Sequence, residues 1–275
     1  MHRMGGHLNI AGRRSDNPEA PSEDVGTVKL FENEQVRVWD MCVEPGASTG
    51  FHRHEHDYVF CQIGTGKCTT RVVDAATGAV TDNTTVATVP SRSVTFRAAS
   101  EQDPAIHSLW NASQADNYRQ ILVEFLEEAP RLSEAEVLAR LSLARYTTDV
   151  GSTLLFENAR CRVWDFSLGP HSGRELPWHH HTLDYFFVNT VGGANSPGHG
   201  RHGLTADDAG CAPHNNSSGS DGSERLRLWS DDRDLVFTAL GSGGGWDERT
   251  GEPVHVDHVY NHTDGEYSSF IVELK

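Results

Sequence analysis

Lysine is nearly missing from this chain of 275 residues. Lys29, Lys67 and Lys275 stand among 23 lysines and arginines, against 39 acids, and the formal charge is −16. Such a chain offers no basic face to a phosphate backbone, so no nucleic acid is expected as partner. The same balance disfavours docking on anionic membranes, and small anions, where bound, have to be held by a few local arginines. Long apolar runs are missing too: none reaches the roughly 18 residues of a spanning helix. The opening stretch "MHRMGGHLNIAGRRSDNPEAPSEDVG" has no apolar core ahead of a small-residue cleavage site. A soluble, cytoplasmic protein with no membrane segment is the expectation, and the Asn-x-Ser/Thr triplets at 83 and 261 then read as chance.

Paired cysteines are also lacking. Cys42, Cys61, Cys68, Cys161 and Cys211 are odd in number and show no C-x-x-C spacing, which fits reduced, structural thiols in an intracellular compartment. Cys61 reads as packing rather than as a nucleophile. There is no phosphate-binding loop, because "GSGGG" at 241–245 has neither the lysine nor the following helix. Helix signal is almost confined to "PRLSEAEVLARLSLARY" at 130–146, where Ser133 and Glu136 form a capping box ahead of Val137, Leu138 and Leu141. No helix-turn-helix accompanies it, which argues against a transcription factor.

What is present is a repeat. "LFENEQVRVWD" at 30–40 returns as "LFENARCRVWD" at 155–165. "PGASTGFHRHEHDYVF" at 45–60 answers to "PHSGRELPWHHHTLDYFFV", with two extra residues before the second set of histidines, and "YRQILVEFLE" at 118–127 parallels "YSSFIVELK" at 267–275. Each copy is thus a unit of roughly 100 to 120 residues. Within a unit, apolar residues alternate in "VRVWDMCV", "TVATVPSRSVTF" and "RQILVEFLE", and turn formers separate the runs. That pattern predicts short antiparallel strands in a sandwich or small barrel.

The predicted layout is a flexible tail over 1–27, a first barrel over 28–128, a helical connector over 129–150 and a second barrel over 151–275. The second copy carries a Gly-, Ser- and Asn-rich insert at 191–225 where the first has a short turn. Its composition cannot bury enough surface to order itself, so a loose surface loop is expected, with a lid as the alternative, and His199, His202 and His214 read as solvated.

The histidines carry the chemistry. In a strand, residues two apart share a face, so His52 and His54 both point to one side and can reach one ion. A third ligand from another strand would complete an open site with positions left for water or substrate. His56 has the same parity but falls where a turn between strands is expected.

On these residues the chain resembles the cupin superfamily, and its two copies resemble the bicupins. The first cupin motif runs Gly, five residues, His-x-His, three or four residues, Glu, six residues, Gly, and Gly46, His52, His54 and Gly66 suit it. The second ends Pro-x-Gly-x-x-His-x-x-x-Asn. Pro104, His107 and Asn111 suit that ending, with Pro104 nearer the histidine than the pattern has it. The resemblance spans about 28–128 and 152–275 and implies an all-β fold of two tandem jelly-roll barrels joined by a short helix.

One departure matters. At the glutamate position stands Tyr58, followed by Val59, so the resemblance implies a three-histidine set: His52, His54 and His107. Tyr58 is then the candidate catalytic residue, as an acid, a hydrogen-bond donor or a distant ligand. Glu55 or Asp57 could supply a carboxylate instead, although Asp57 has the wrong parity without a bulge. In the second copy His179, His181 and Tyr185 keep register with His52, His54 and Tyr58. Aligning Asn261 with Asn111 brings Asp257 to the place of His107, with His255 and His258 nearby as alternatives and a decayed site as another.

The resemblance implies a divalent transition metal (Fe, Ni, Mn or Zn) and a small-molecule substrate, anionic in one version. Three-histidine cupin dioxygenases are the nearest kind, a lyase or isomerase second, and a non-catalytic ligand-binding bicupin the alternative. A homo-oligomer is compatible with all of them. Arg71, Arg92 and Arg97 lie on predicted strands, but the pattern does not fix which way they face.

Overall fold

The computed structural model describes residues 9–10, 16–99, 105–173, 176–190, 202–208, 225–230, 233, 235–240, 245–246, 255–261 and 264–275. They fall into two compact units, one formed before Pro130 and one from Pro130 onward.

The first unit contains β1 (Asn9–Ile10), β2 (Val28–Glu32), β3 (Val36–Val43), β4 (His52–His54), β5 (Asp57–Ile63), β6 (Gly66–Val73), β7 (Val80–Val89), β8 (Val94–Arg97), β9 (Ala105–Asn111) and β10 (Tyr118–Phe125). One sheet runs β1-β2-β3-β10-β5-β8 and the other β4-β9-β6-β7. The second unit begins with α1 (Glu134–Leu143). It continues with β11 (Thr153–Glu157), β12 (Cys161–Leu168), β13 (His179–His180), β14 (Tyr185–Asn189), β15 (His202–Asp208), β16 (Arg225–Ser230), β17 (Leu235–Thr238), β18 (Val256–Asn261) and β19 (Tyr267–Leu274). Its sheets run β11-β12-β19-β14-β17 and β13-β18-β15-β16. Strand for strand, β11 to β19 take the places of β2 to β10, and the expected all-β class of two tandem jelly-roll barrels with a short helical connector is what the chain forms.

Even the irregularities recur. The register of β2 on β3 slips between Lys29 and Phe31, and that of β11 on β12 between Leu154 and Phe156. In each copy one leucine, Leu30 or Leu155, is the extra residue of a bulge.

The "RVWD" strand supplies a tryptophan to each core. Trp39 packs with Val25, Tyr58 and Leu122, and Trp164 with Val150, Tyr185 and Ile271. Glycine makes the approach to that ring: a Cβ on Gly26 would strike the Trp39 Cβ, and one on Gly151 the Trp164 Cβ. Each barrel therefore starts ahead of its predicted strands. Ser22 forms a parallel bridge with His52, and Thr147 with His179. Residues 22–27, assigned by composition to a flexible tail, are built into the first barrel because Val25 is buried there.

The capping box forms as expected. The Ser133 N–H donates to Glu136 Oε2 at 2.7 Å and the Glu136 N–H to Ser133 Oγ at 3.3 Å. Val137 is buried, whereas Leu138 and Leu143 are exposed. The Arg131 N–H donates to the Lys275 carbonyl at 3.0 Å, so the connector groups with the second barrel. No helix among the described residues is long and apolar enough to cross a membrane.

The expected loose insert at 191–225 is corrected in part. His202–Asp208 is strand β15, paired with β16 on one side and β18 on the other. It occupies the place of β6, so the extra residues fall in two connections rather than one. The composition of the whole stretch hid this because "HGLTADD" is ordered by pairing on both edges, not by its own apolar content. His199 and His214 lie outside the described residues.

Candidate metal centre

Strand β4 is three residues long, and its pleat turns His52 and His54 to one face; both are buried while Arg53 between them is part-exposed. Strand β9 lies antiparallel to it with His107 directly opposite His52. The anchor for β9 is Asn111, whose Nδ2 donates to the carbonyls of Val43 at 2.9 Å and Asp116 at 2.8 Å. The spacing His-x-x-x-Asn therefore ties the third histidine to a fixed strand end.

One ring nitrogen from each of His52, His54 and His107 lies within 4.8 Å of the other two. The Nε2 atoms of His54 and His107 are 3.3 Å apart. Two nitrogens bound to one cation at about 2.1 Å, at angles of roughly 90° to 109°, would be about 3.0 to 3.4 Å apart, so the pair fits a shared ion. His52 Nδ1 faces the Gly50 carbonyl at 3.2 Å. A carbonyl can only accept, so Nδ1 carries the proton and Nε2 keeps its lone pair for a cation. The buried Nδ1 of His54 has no hydrogen-bond partner.

Burial keeps the three imidazoles neutral. Loss of water, then the neighbouring His107, holds His52 down at about 3. Loss of water and then the charge of Arg97 hold His107 at about 4. His54 falls well below the ordinary 6.5 for the same chief reason. The Tyr58 ring lies flat on His54, centroids 4.0 Å apart at 15°, and fixes that imidazole's plane.

The carboxylates considered as substitutes are engaged elsewhere. Asp57 Oδ1 accepts from the Ala99 N–H at 2.9 Å, and exposed Glu55 lies 3.6 Å from Arg53. His56 follows β4 in the turn before β5. Cys61 is buried, and burial pushes its thiol up to about 12, which suits packing.

The second barrel repeats part of this arrangement. His179 and His181 have ring centroids 5.0 Å apart at 70°, against 5.1 Å and 73° for His52 and His54. Tyr185 stacks on His181 at 3.8 Å and 15°. Asp257 stands opposite His179 as His107 stands opposite His52. Asn261 anchors β18 as Asn111 anchors β9, donating to Gly169 at 3.0 Å and Gly265 at 2.6 Å. His258 has the opposite strand parity from Asp257; its Nε2 lies 3.1 Å from the Gly173 carbonyl and its ring packs near Trp178. His258 is thus one residue past the position that pairs with His179. His255 offers its carbonyl to the His181 N–H at 2.9 Å.

Sequence reasoning missed a buried carboxylate in each barrel. Glu124 and Glu273, buried inside the barrels, accept from the indoles of Trp39 and Trp164 at 2.8 Å in both copies. Arg37 and Arg162 complete each set at 3.5 and 3.0 Å. Burial raises both carboxyls, Glu273 to about 7. The signal was available, since Arg, Trp and Glu recur at matching places in "VRVWD" and "LVEF", "CRVWD" and "IVEL". Arg97, whose facing the sequence left open, lies directly opposite Tyr58.

The described residues thus form two tandem jelly-roll barrels, the first with a three-histidine cluster on β4 and β9. Several solved structures are distantly similar to the chain. A cupin domain from Bordetella pertussis Tohama I is 21% identical and aligns over 38% of this chain and 96% of its own, with a TM-score of 0.29. A cupin 2 conserved barrel domain protein from Leptotrichia buccalis is 11% identical over 93% of this chain and 91% of its own, TM-score 0.41. Oxalate decarboxylase from Lactobacillus farciminis, solved as a formate complex, is 13% identical over 88% and 77%, TM-score 0.44. No protein-family model matches the chain, and no curated protein does. Similarities at this level say nothing of function.

Proposed function

We propose that the first barrel holds a divalent transition metal through His52, His54 and His107 and that the protein is a small-molecule metalloenzyme of the three-histidine, dioxygenase-like kind. The observation that carries this is the meeting of three desolvated imidazole nitrogens within 4.8 Å. The Nε2 atoms of His54 and His107, 3.3 Å apart, are at N–H···N hydrogen-bond distance without an ion and at the spacing of two ligands of one ion with it.

A divalent ion, when bound, would supply Lewis acidity toward a chelating substrate and, as iron, redox chemistry toward dioxygen. The chain's own residues do the rest. The Gly50 carbonyl fixes the His52 tautomer, the Tyr58 ring fixes the plane of His54, and the Asn111 anchor holds His107 against His52. Tyr58, buried beside His54, is the proposed proton donor or hydrogen-bond donor to substrate. In the second barrel His179, His181 and Asp257 are the proposed set, two imidazoles and one carboxylate.

The test is oxygen uptake by iron(II)-loaded protein with thiols, diketones and aromatic acids. The proposal expects uptake with one of these classes, abolished by His107→Ala and absent from zinc-loaded protein. Iron bound without uptake would leave a lyase, an isomerase or a ligand-binding bicupin, and failure to take up any metal would end the metalloenzyme proposal.

A further inference from the structure

We infer that Arg97 makes the first site select small carboxylates, while the second site, which has threonine in its place, does not. This rests on the three-histidine proposal above for its metal. The geometry comes from strand pairing. β5 and β8 are antiparallel with Tyr58 opposite Arg97, and residues so paired share a face with their Cβ atoms about 5 Å apart. The face is the one on which Tyr58 stacks against His54. Arg97 is exposed where Tyr58 and His54 are buried, so the guanidinium stands at the solvent side of the histidine cluster. Its charge is felt by His107, which places it near that ring.

Nearby carboxylates leave this charge available. Glu124 sits on the far side of Tyr58 in the same row, but it is buried and already accepts from Trp39 and Arg37. Arg97 forms no ion pair among the described residues. The other two strand arginines are placed differently: Arg71 binds Asp82 at 2.7 Å on the exposed hairpin of β6 and β7, and Arg92 lies in a turn with φ of 63°.

A guanidinium forks onto two carboxylate oxygens, and three neutral imidazoles leave a divalent ion its full charge. Both favour an anion, in a chain whose charge of −16 otherwise repels one. In the second barrel the residue opposite Tyr185 is Thr238, and Asp257 replaces a neutral imidazole with an acid. That site is less positive by two groups and suits an uncharged ligand.

The experiment is calorimetric titration of the full-length protein with malonate and with malonamide, which has nearly the same shape and no charge. Wild type, Arg97→Gln and Arg97→Lys are compared, each zinc-loaded and each after chelator, with zinc per chain measured in parallel. The expected result is malonate binding weakened about tenfold or more by Arg97→Gln and less by Arg97→Lys, with malonamide binding and zinc content unchanged. Equal malonate affinity in wild type and Arg97→Gln, or an equal loss for malonamide, would overturn the inference. A His52→Ala/His54→Ala variant that takes up as much zinc as wild type would sink the metal proposal separately, and the chelator-treated comparison would then decide for or against Arg97.

Discussion

The two barrels share a frame and part company at the mouth. Both have the bulge, the glycine packed on tryptophan, the buried Trp–Glu–Arg set, the His-x-His pair with its stacked tyrosine, and the asparagine that anchors the penultimate strand. They differ at two paired positions: opposite His52 and His179 stand His107 and Asp257, and opposite Tyr58 and Tyr185 stand Arg97 and Thr238. Buried groups that hold the sheets together are constrained by packing, whereas groups at the rim are free to take on different chemistry. The comparison can be broken or sharpened in four ways.

The largest effect is expected in the shared frame. Trp39→Ala and Trp164→Ala each remove a core ring and the indole donor to a buried glutamate, and each should lower stability by about 3 to 5 kcal/mol in denaturant unfolding. If one substitution were harmless, the two cores would not be equivalent.

Next comes the dependence on pH. Burial, opposed by Arg162 and Trp164, raises Glu273 from 4.5 to about 7. The folded chain keeps that proton up to about pH 7, whereas the unfolded chain releases it near 4.5. The contribution is therefore fully present below about 4.5, declines as pH rises, and is gone above 7. Unfolding of wild type and Glu273→Gln at pH 4.5 and pH 8 should show wild type losing more, by roughly 3 kcal/mol, across that interval.

The site difference should be exchangeable. His107→Asp in the first barrel and Asp257→His in the second should swap the ligand sets, shifting the zinc-to-manganese affinity ratio about tenfold in opposite directions, because imidazole suits zinc and carboxylate suits manganese. Competition titrations with a chromophoric chelator would read this ratio, and no shift in the second barrel would remove Asp257 from its proposed set.

The smallest effect lies in a turn. "EPGA" carries Gly46 at a φ of 69°, where the second copy has His171 at 52°. A non-glycine residue in that region is strained, so His171→Gly should stabilise by about 1 kcal/mol in thermal unfolding, while Gly46→His should destabilise.

Much of this was legible in the sequence for identifiable reasons. The repeat "FEN…RVWD" marked two units because seven shared residues fix a bulge, a strand and a core ring at once. His52 and His54 could be paired because strand alternation is rigid, whereas His107 was picked out only by the resemblance of "DPAIHSLWN" to the second cupin motif. Arg97 could not be placed, since its facing depends on the register of β8 against β5, a long-range pairing that local pattern does not set. Glu124 and Glu273 were passed over because a carboxylate among "LVEF" and "IVEL" looks like the solvent face of a strand, and only the indole across the sheet shows that it is inside. β15 was hidden for a related reason: a strand paired on both edges needs little apolar content of its own.

The most direct measurement is elemental analysis of metal per chain in protein purified without chelator, beside the His52→Ala/His54→Ala and His179→Ala/His181→Ala double variants. The account predicts about one equivalent of divalent transition metal lost with the first pair and any second equivalent lost with the other. Wild-type protein that carries no metal and takes none up on reconstitution, or metal that stays when His52 and His54 are gone, would contradict it.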